Sequence, residues 1–102
     1  MATKEEIMEA LKNVYDPEIM INIVDLGLVY DVEVDEENKT VTVKYSLTAP
    51  GCPLSHIIDA EIQKYAAQVE GIEHVETELV WEPMWNPSMM SDEAKLTLGY
   101  DV

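Results

Sequence analysis

The chain has 102 residues, with 21 acidic side chains against six basic ones and a net charge of −15. That length suits one domain with a single core, and the expectation is one domain over residues 1–102. So negative a chain is expected to bind neither nucleic acid, which demands a positive footprint, nor anionic lipid. One cysteine excludes an internal disulfide and fits a reducing compartment. The first residues carry no apolar signal segment, and no apolar run approaches the length of a membrane span. A soluble, cytoplasmic protein is expected.

Thr3-Lys4-Glu5-Glu6 reads as a capping box, with Thr3 as N-cap and Glu6 reaching back to it. Ile7, Leu11 and Val14 then recur at helical spacing, beside Met8 and Tyr15. The spacing predicts a first helix that stops near Asp16-Pro17, since a residue before proline avoids the helical region. Residues 19–25 read as a loop.

Gly27 opens a strand in which Leu28, Tyr30, Val32 and Val34 alternate with Asp31 and Glu33. After a polar turn at 35–39, Val41, Val43, Tyr45 and Leu47 alternate with Thr42, Lys44 and Ser46. The two strands are predicted to form a hairpin with one apolar face.

Thr48-Ala49-Pro50-Gly51-Cys52-Pro53 leads into a second helix, with Pro53 at its first position and Cys52 as N-cap. Leu54, Ile58, Ile62, Tyr65 and Val69 form its apolar stripe, widened by Ile57 and Ala66, and Gly71 lies past its end. Val75, Thr77, Leu79 and Trp81 face one way as a third strand, with Glu76, Glu78 and Glu82 opposite and Pro83 ending it. Ser91 to Gly99 reads as a short last helix. The predicted class is α+β in the order α-β-β-α-β-α, a small three-stranded sheet with helices on one face.

Cys52 is the candidate reactive group. Free backbone donors and the positive end of a helix dipole favour thiolate, the form of cysteine that attacks and ligates. His56 follows one turn later on the same helix. Three readings of Cys52 stand: buried packing, a nucleophile with His56 as base, and a metal or iron–sulfur ligand. Asp16 reads as a carboxylate near Cys52 or as the cap of a turn before Pro17. Thr48 reads as a hydrogen-bonding member of the cysteine turn or as the close of a strand. Asp25 sits in a turn-forming Asp-x-Gly run, and His74 reads as a surface residue. The uncharged segment 83–90, with Trp85 and three methionines, either covers the core or presents a partner surface.

Several motifs then come in a fixed order: Asp16-Pro17-Glu18; Ile23-Val24-Asp25-Leu26-Gly27-Leu28-Val29-Tyr30; Thr48 to Pro53; Val80-Trp81-Glu82-Pro83-Met84-Trp85; Met90-Ser91; and Leu98-Gly99. From about Ile7 to Gly99 the chain resembles the family of small iron–sulfur assembly proteins that includes SufT and the PaaD subunit of phenylacetate catabolism. It is also similar to the conserved domain of the eukaryotic cytosolic iron–sulfur targeting proteins. The resemblance implies a fold like the C-terminal domain of NifU-type scaffolds. It implies an accessory, non-enzymatic role in assembling, transferring or delivering iron–sulfur clusters. It carries the family's cysteine onto Cys52, its Asp-Pro-Glu acid onto Asp16 and its threonine onto Thr48, while His56 is outside the pattern.

Cys52 is followed by Pro53, Leu54 and Ser55, so the Cys-x-x-Cys pair of NifU-type scaffolds is absent. The cargo implied is a transient iron–sulfur cluster or iron at a site shared through Cys52, with none held stably by a monomer. The implied partners are iron–sulfur assembly proteins, apo client proteins or a second copy of the chain. The alternatives are an adaptor without metal chemistry and a Cys52/His56 thiol enzyme.

Overall fold

A computed structural model describes residues 2–17, 19–48 and 55–99. Three helices and three strands follow the predicted order: α1 (Lys4–Leu11), β1 (Val29–Asp35), β2 (Thr40–Tyr45), α2 (Ser55–Ala67), β3 (His74–Leu79) and α3 (Asp92–Leu98).

Thr3 caps α1, its Oγ1 accepting from the Glu6 N–H at 3.1 Å. Glu6 does reach back, but its carboxylate accepts from the Thr3 hydroxyl rather than from the backbone N–H. The helix ends at Leu11, well short of Asp16-Pro17. The Lys12, Asn13 and Val14 N–H groups bond three residues back, and the Asn13 side chain also takes the Ala10 carbonyl. Beyond that point the backbone is claimed by a short antiparallel pairing. Ile23 N–H donates to Val14, Asp16 N–H donates to Ile21, and Tyr15 faces Asn22 across an isolated bridge. Tyr15 therefore lies outside the helix and is exposed.

β1 and β2 form the expected antiparallel hairpin, with Val32 opposite Val43 and Val34 opposite Val41. One extra residue enters β1 between Val29 and Asp31, a β-bulge at Tyr30. The bulge interrupts the expected alternation: Val29, not Tyr30, takes the register position opposite Tyr45. The Tyr30 hydroxyl is thereby freed to donate to the Pro83 carbonyl at 2.8 Å.

β2 pairs with β3 in parallel, giving the order β1-β2-β3. The parallel direction follows from α2, a crossover helix that returns the chain to the end of the sheet where β2 began. Ile58, Ile62 and Ala66 of α2 are buried, but Ile57 is 40% exposed and does not widen the stripe. Its position turns it off the face that meets the sheet. The core gathers Ile7 and Leu11 of α1, Leu26 and Leu28 of the following loop, Val41 and Val43 of β2, and Ile58 and Ile62 of α2. Burying each such side chain contributes about 1.5–3 kcal/mol.

Ser91 caps α3 through a bond from the Ala94 N–H, and Gly99 closes it with a left-handed φ of 86°. Leu79 and Trp81 are each more than a third exposed, so the third strand loses its buried face towards its C-terminal end.

Candidate functional site

The junction that the sequence singles out lies between β2 and α2. Cys52, with Ala49, Pro50, Gly51, Pro53 and Leu54, falls outside the described residues, so the expected N-cap role of Cys52 and the Pro53 start of α2 lie there too. The flanks are described. Ser46 N–H donates to the Leu28 carbonyl at 2.8 Å, which fixes the end of β2 against the loop that follows α1. Thr48 comes two residues later and is half-buried; α2 resumes at Ser55.

Asp16 belongs to that same loop and is 5% exposed. Its Oδ1 accepts from the Ile19 N–H at 3.1 Å, and its carbonyl accepts from Met20 at 2.8 Å. These bonds hold a tight turn in which Met20 takes a φ of 65°. Capping a turn is thus one role of Asp16. The loop joins the β2 exit through two bonds in series, Leu28 N–H to Ile23 at 2.9 Å and Ser46 N–H to Leu28. Asp16 and Thr48 are therefore carried by segments locked to one another.

His56 is exposed in the first turn of α2. It lines an open groove of about 470 Å3 with Tyr45, Ser55, Asp59, Ala60 and Gln63. The groove contains a carboxylate that sequence reasoning missed. Asp59 accepts from the Tyr45 hydroxyl (2.7 Å), the Gln63 amide (2.7 Å) and the Thr77 hydroxyl (2.9 Å), tying α2 to β2 and β3. Partial burial works to raise the Asp59 carboxyl, but the bonds from Tyr45, Gln63 and Thr77 outweigh it and hold the group below the usual aspartate value. Burial, then the Asp59 bond and charge, push the Tyr45 phenol far above its usual value. The signal in the sequence was the i,i+4 pair Asp59 and Gln63 beside the buried Ile58 and Ile62.

Asp25 is half-buried and acts within its turn. Its carboxylate accepts from the Asn22 amide at 2.7 Å, and its N–H donates back to the Asn22 side chain at 2.9 Å. The turn also receives the C-terminal segment. The Asp25 carbonyl accepts from Ser91, and the Leu26 carbonyl accepts from the Trp85 indole at 2.6 Å. Gly27 has a φ of 77°, and a Cβ there would run into the Met89 carbonyl. Met90 is buried and Trp85 and Met89 are half-buried, so these three side chains of segment 83–90 cover the core, while Pro83, Met84, Asn86, Pro87 and Ser88 are exposed. His74, exposed as expected, opens β3 and donates its N–H to the Lys39 carbonyl.

Among the described residues no three His, Cys, Asp or Glu side chains converge to hold a metal ion. Nor is any described helix long and apolar enough to cross a membrane.

Residues 4–79 match a known sequence profile, that of iron–sulfur cluster assembly proteins. The chain belongs to this family. It is 46% identical over 98 residues to the Fe-S protein maturation auxiliary factor YitW of Bacillus subtilis, covering 96% of this chain and 95% of that one. It is 44% identical over 86 residues to the Fe-S protein maturation auxiliary factor SufT of Staphylococcus aureus, covering 84% of this chain and 97% of that one. The fold is similar to the crystal structure of a domain of unknown function from Bacillus anthracis. That match has a TM-score of 0.90 at 35% identity, over 96% of this chain and 92% of that one. The match ends at Leu79, and the motifs around Trp85 and Ser91 lie beyond it, on the segment bound to Asp25 and Leu26.

Proposed function

We propose that this protein is a non-enzymatic accessory factor in the maturation of iron–sulfur proteins, with Cys52 as the thiolate that meets the cluster or iron in transit. The observation that carries this reading is family membership over most of the chain, together with relatives named as maturation auxiliary factors. The cluster is cargo. Iron–sulfur clusters usually take four cysteine thiolates, and this chain supplies one. A one-thiolate site leaves the remaining iron positions to another molecule and so favours hand-over above storage. The second set of ligands comes from an assembly protein, an apo client or a second copy of the chain, and the setting is the cytoplasm.

Asp16 and Thr48 are the proposed neighbours of Cys52. The support is that their segments are locked together at the Leu28–Ser46 contact, and that Thr48 precedes Cys52 by four positions in the sequence. Residues 1–102 are taken to act as one unit, since segment 83–91 closes on the turn at 25–27.

The test is anaerobic transfer. A donor loaded with a cluster is mixed with an apo acceptor and either the wild-type protein or Cys52→Ala. Acceleration by wild type and none by Cys52→Ala, at equal folded content, is the expected outcome. Equal acceleration by both removes Cys52 from the pathway.

A further inference from the structure

β3 is the last strand of the sheet, and among the described residues no strand pairs with its far side. The ladder to β2 shows which groups face outward. His74 N–H donates to Lys39 at 3.1 Å, and Val80 N–H donates to Tyr45 at 2.8 Å. In a strand, alternate residues bond to opposite sides, so the even-numbered residues of β3 serve β2. Val75, Thr77 and Leu79 therefore turn their N–H and C=O groups towards the open edge.

The two edges of the sheet differ. β1 carries a bulge at Tyr30, and Lys4 lies 3.6 Å from Asp31. Bulges and lysines are the ordinary means of blunting an edge. β3 has no register irregularity along its six paired residues and contains neither lysine nor proline. Glu73, Glu76, Glu78 and Glu82 cluster on or beside the strand; Lys39 lies 4.0 Å from Glu73 and Lys44 of β2 stands opposite Glu78, and β3 itself carries no lysine or arginine.

The faces of the edge are also distinct. Thr77 bonds to Asp59 of α2, so Val75, Thr77 and Leu79 lie on the helix side and Glu76 and Glu78 on the open side. A second copy is a poor occupant. Antiparallel self-pairing about Thr77 would set Glu76 directly opposite Glu78 of the other copy, and like charges so placed are destabilising.

We propose that this edge takes an extended segment of another protein whose residues alternate basic with apolar. The main chain of that segment would bond to Val75, Thr77 and Leu79. Its basic side chains would meet Glu76 and Glu78, and its apolar ones would lie beside Leu79 and Trp81, both exposed apolar groups. The proposal does not depend on the cluster role.

The test uses a short peptide alternating lysine with valine, its glutamate counterpart, and amide hydrogen exchange read by NMR on the full chain. The lysine peptide is expected to bind, and to slow exchange at Val75, Thr77 and Leu79 above all other amides. The glutamate peptide is expected not to bind. Glu76→Lys combined with Glu78→Lys should weaken the lysine peptide about tenfold. Leu79→Pro, which removes an outward N–H while sparing the β2 ladder, should weaken it too, and Cys52→Ala should bind as wild type does. Absence of binding overturns the proposal, as does binding that leaves those three amides unprotected. Concentration-dependent protection without peptide assigns the edge to a second copy and overturns it as well.

Discussion

The indole N–H of Trp85 donates to the carbonyl of Leu26 at 2.6 Å, across 59 positions of sequence. Leu26 lies in the turn that follows the first helix, and Trp85 in the segment that follows the last strand. The same turn takes Ser91 on the Asp25 carbonyl and packs Gly27 against Met89. Two motifs far apart in the chain thus form one clasp, which closes α3 and Met90 onto the core.

Breaking the clasp should separate its two components. Trp85→Phe keeps an aromatic ring and removes the donor, so the protein should lose about 1–2 kcal/mol. Trp85→Ala also opens a cavity and should cost about 3 kcal/mol. Urea unfolding followed by far-UV circular dichroism reads both. A Trp85→Phe protein as stable as wild type would show that the hydrogen bond contributes nothing.

Two left-handed glycines make a matched pair. Gly99→Ala meets open space at φ 86° and should cost about 1 kcal/mol, the strain of the backbone alone. Gly27→Ala adds a collision with the Met89 carbonyl and should cost about 3 kcal/mol. Thermal unfolding of the two variants checks the order; equal losses would mean that the Met89 backbone yields freely.

Asp59 should make the fold acid-sensitive. Its folded value is held below that of the unfolded chain, so its contribution is fully present above the unfolded value of about 3.9. That contribution fades as pH falls through the folded value, because the unfolded chain takes the proton more readily. Asp59→Asn should be less stable than wild type at neutral pH by about 1–3 kcal/mol. The gap should narrow below about pH 4. Urea midpoints across a pH series decide this; a gap constant with pH would mean that Asp59 is protonated equally in both states.

Asp16 can be tested for chemistry apart from structure. Asp16→Asn keeps an oxygen for the Ile19 N–H and should hold stability to within about 1 kcal/mol, whereas Asp16→Ala should lose about 1–2 kcal/mol. If the carboxylate serves Cys52, Asp16→Asn slows cluster transfer while melting like wild type. Normal transfer by Asp16→Asn would leave the turn as its whole purpose.

What the sequence determined by itself was local. Helix caps at Thr3 and Ser91, the alternation of Val41, Val43 and Tyr45, and the stop at Gly99 rest on interactions within a few residues, and each appears in the structure. The ordered motifs also carried the family, because many short signals in one order rarely arise by chance. What only the tertiary structure decided depends on partners distant in sequence. α1 stops at Leu11 because residues 14–16 pair with 21–23, an outcome that helical spacing alone does not reveal. The bulge at Tyr30 is matched to Pro83, and Asp59 finds Tyr45 and Thr77 only when α2 crosses the sheet. Trp85 and Leu26 were each legible as motif residues, but their bond exists only once the sheet brings the two ends of the chain together.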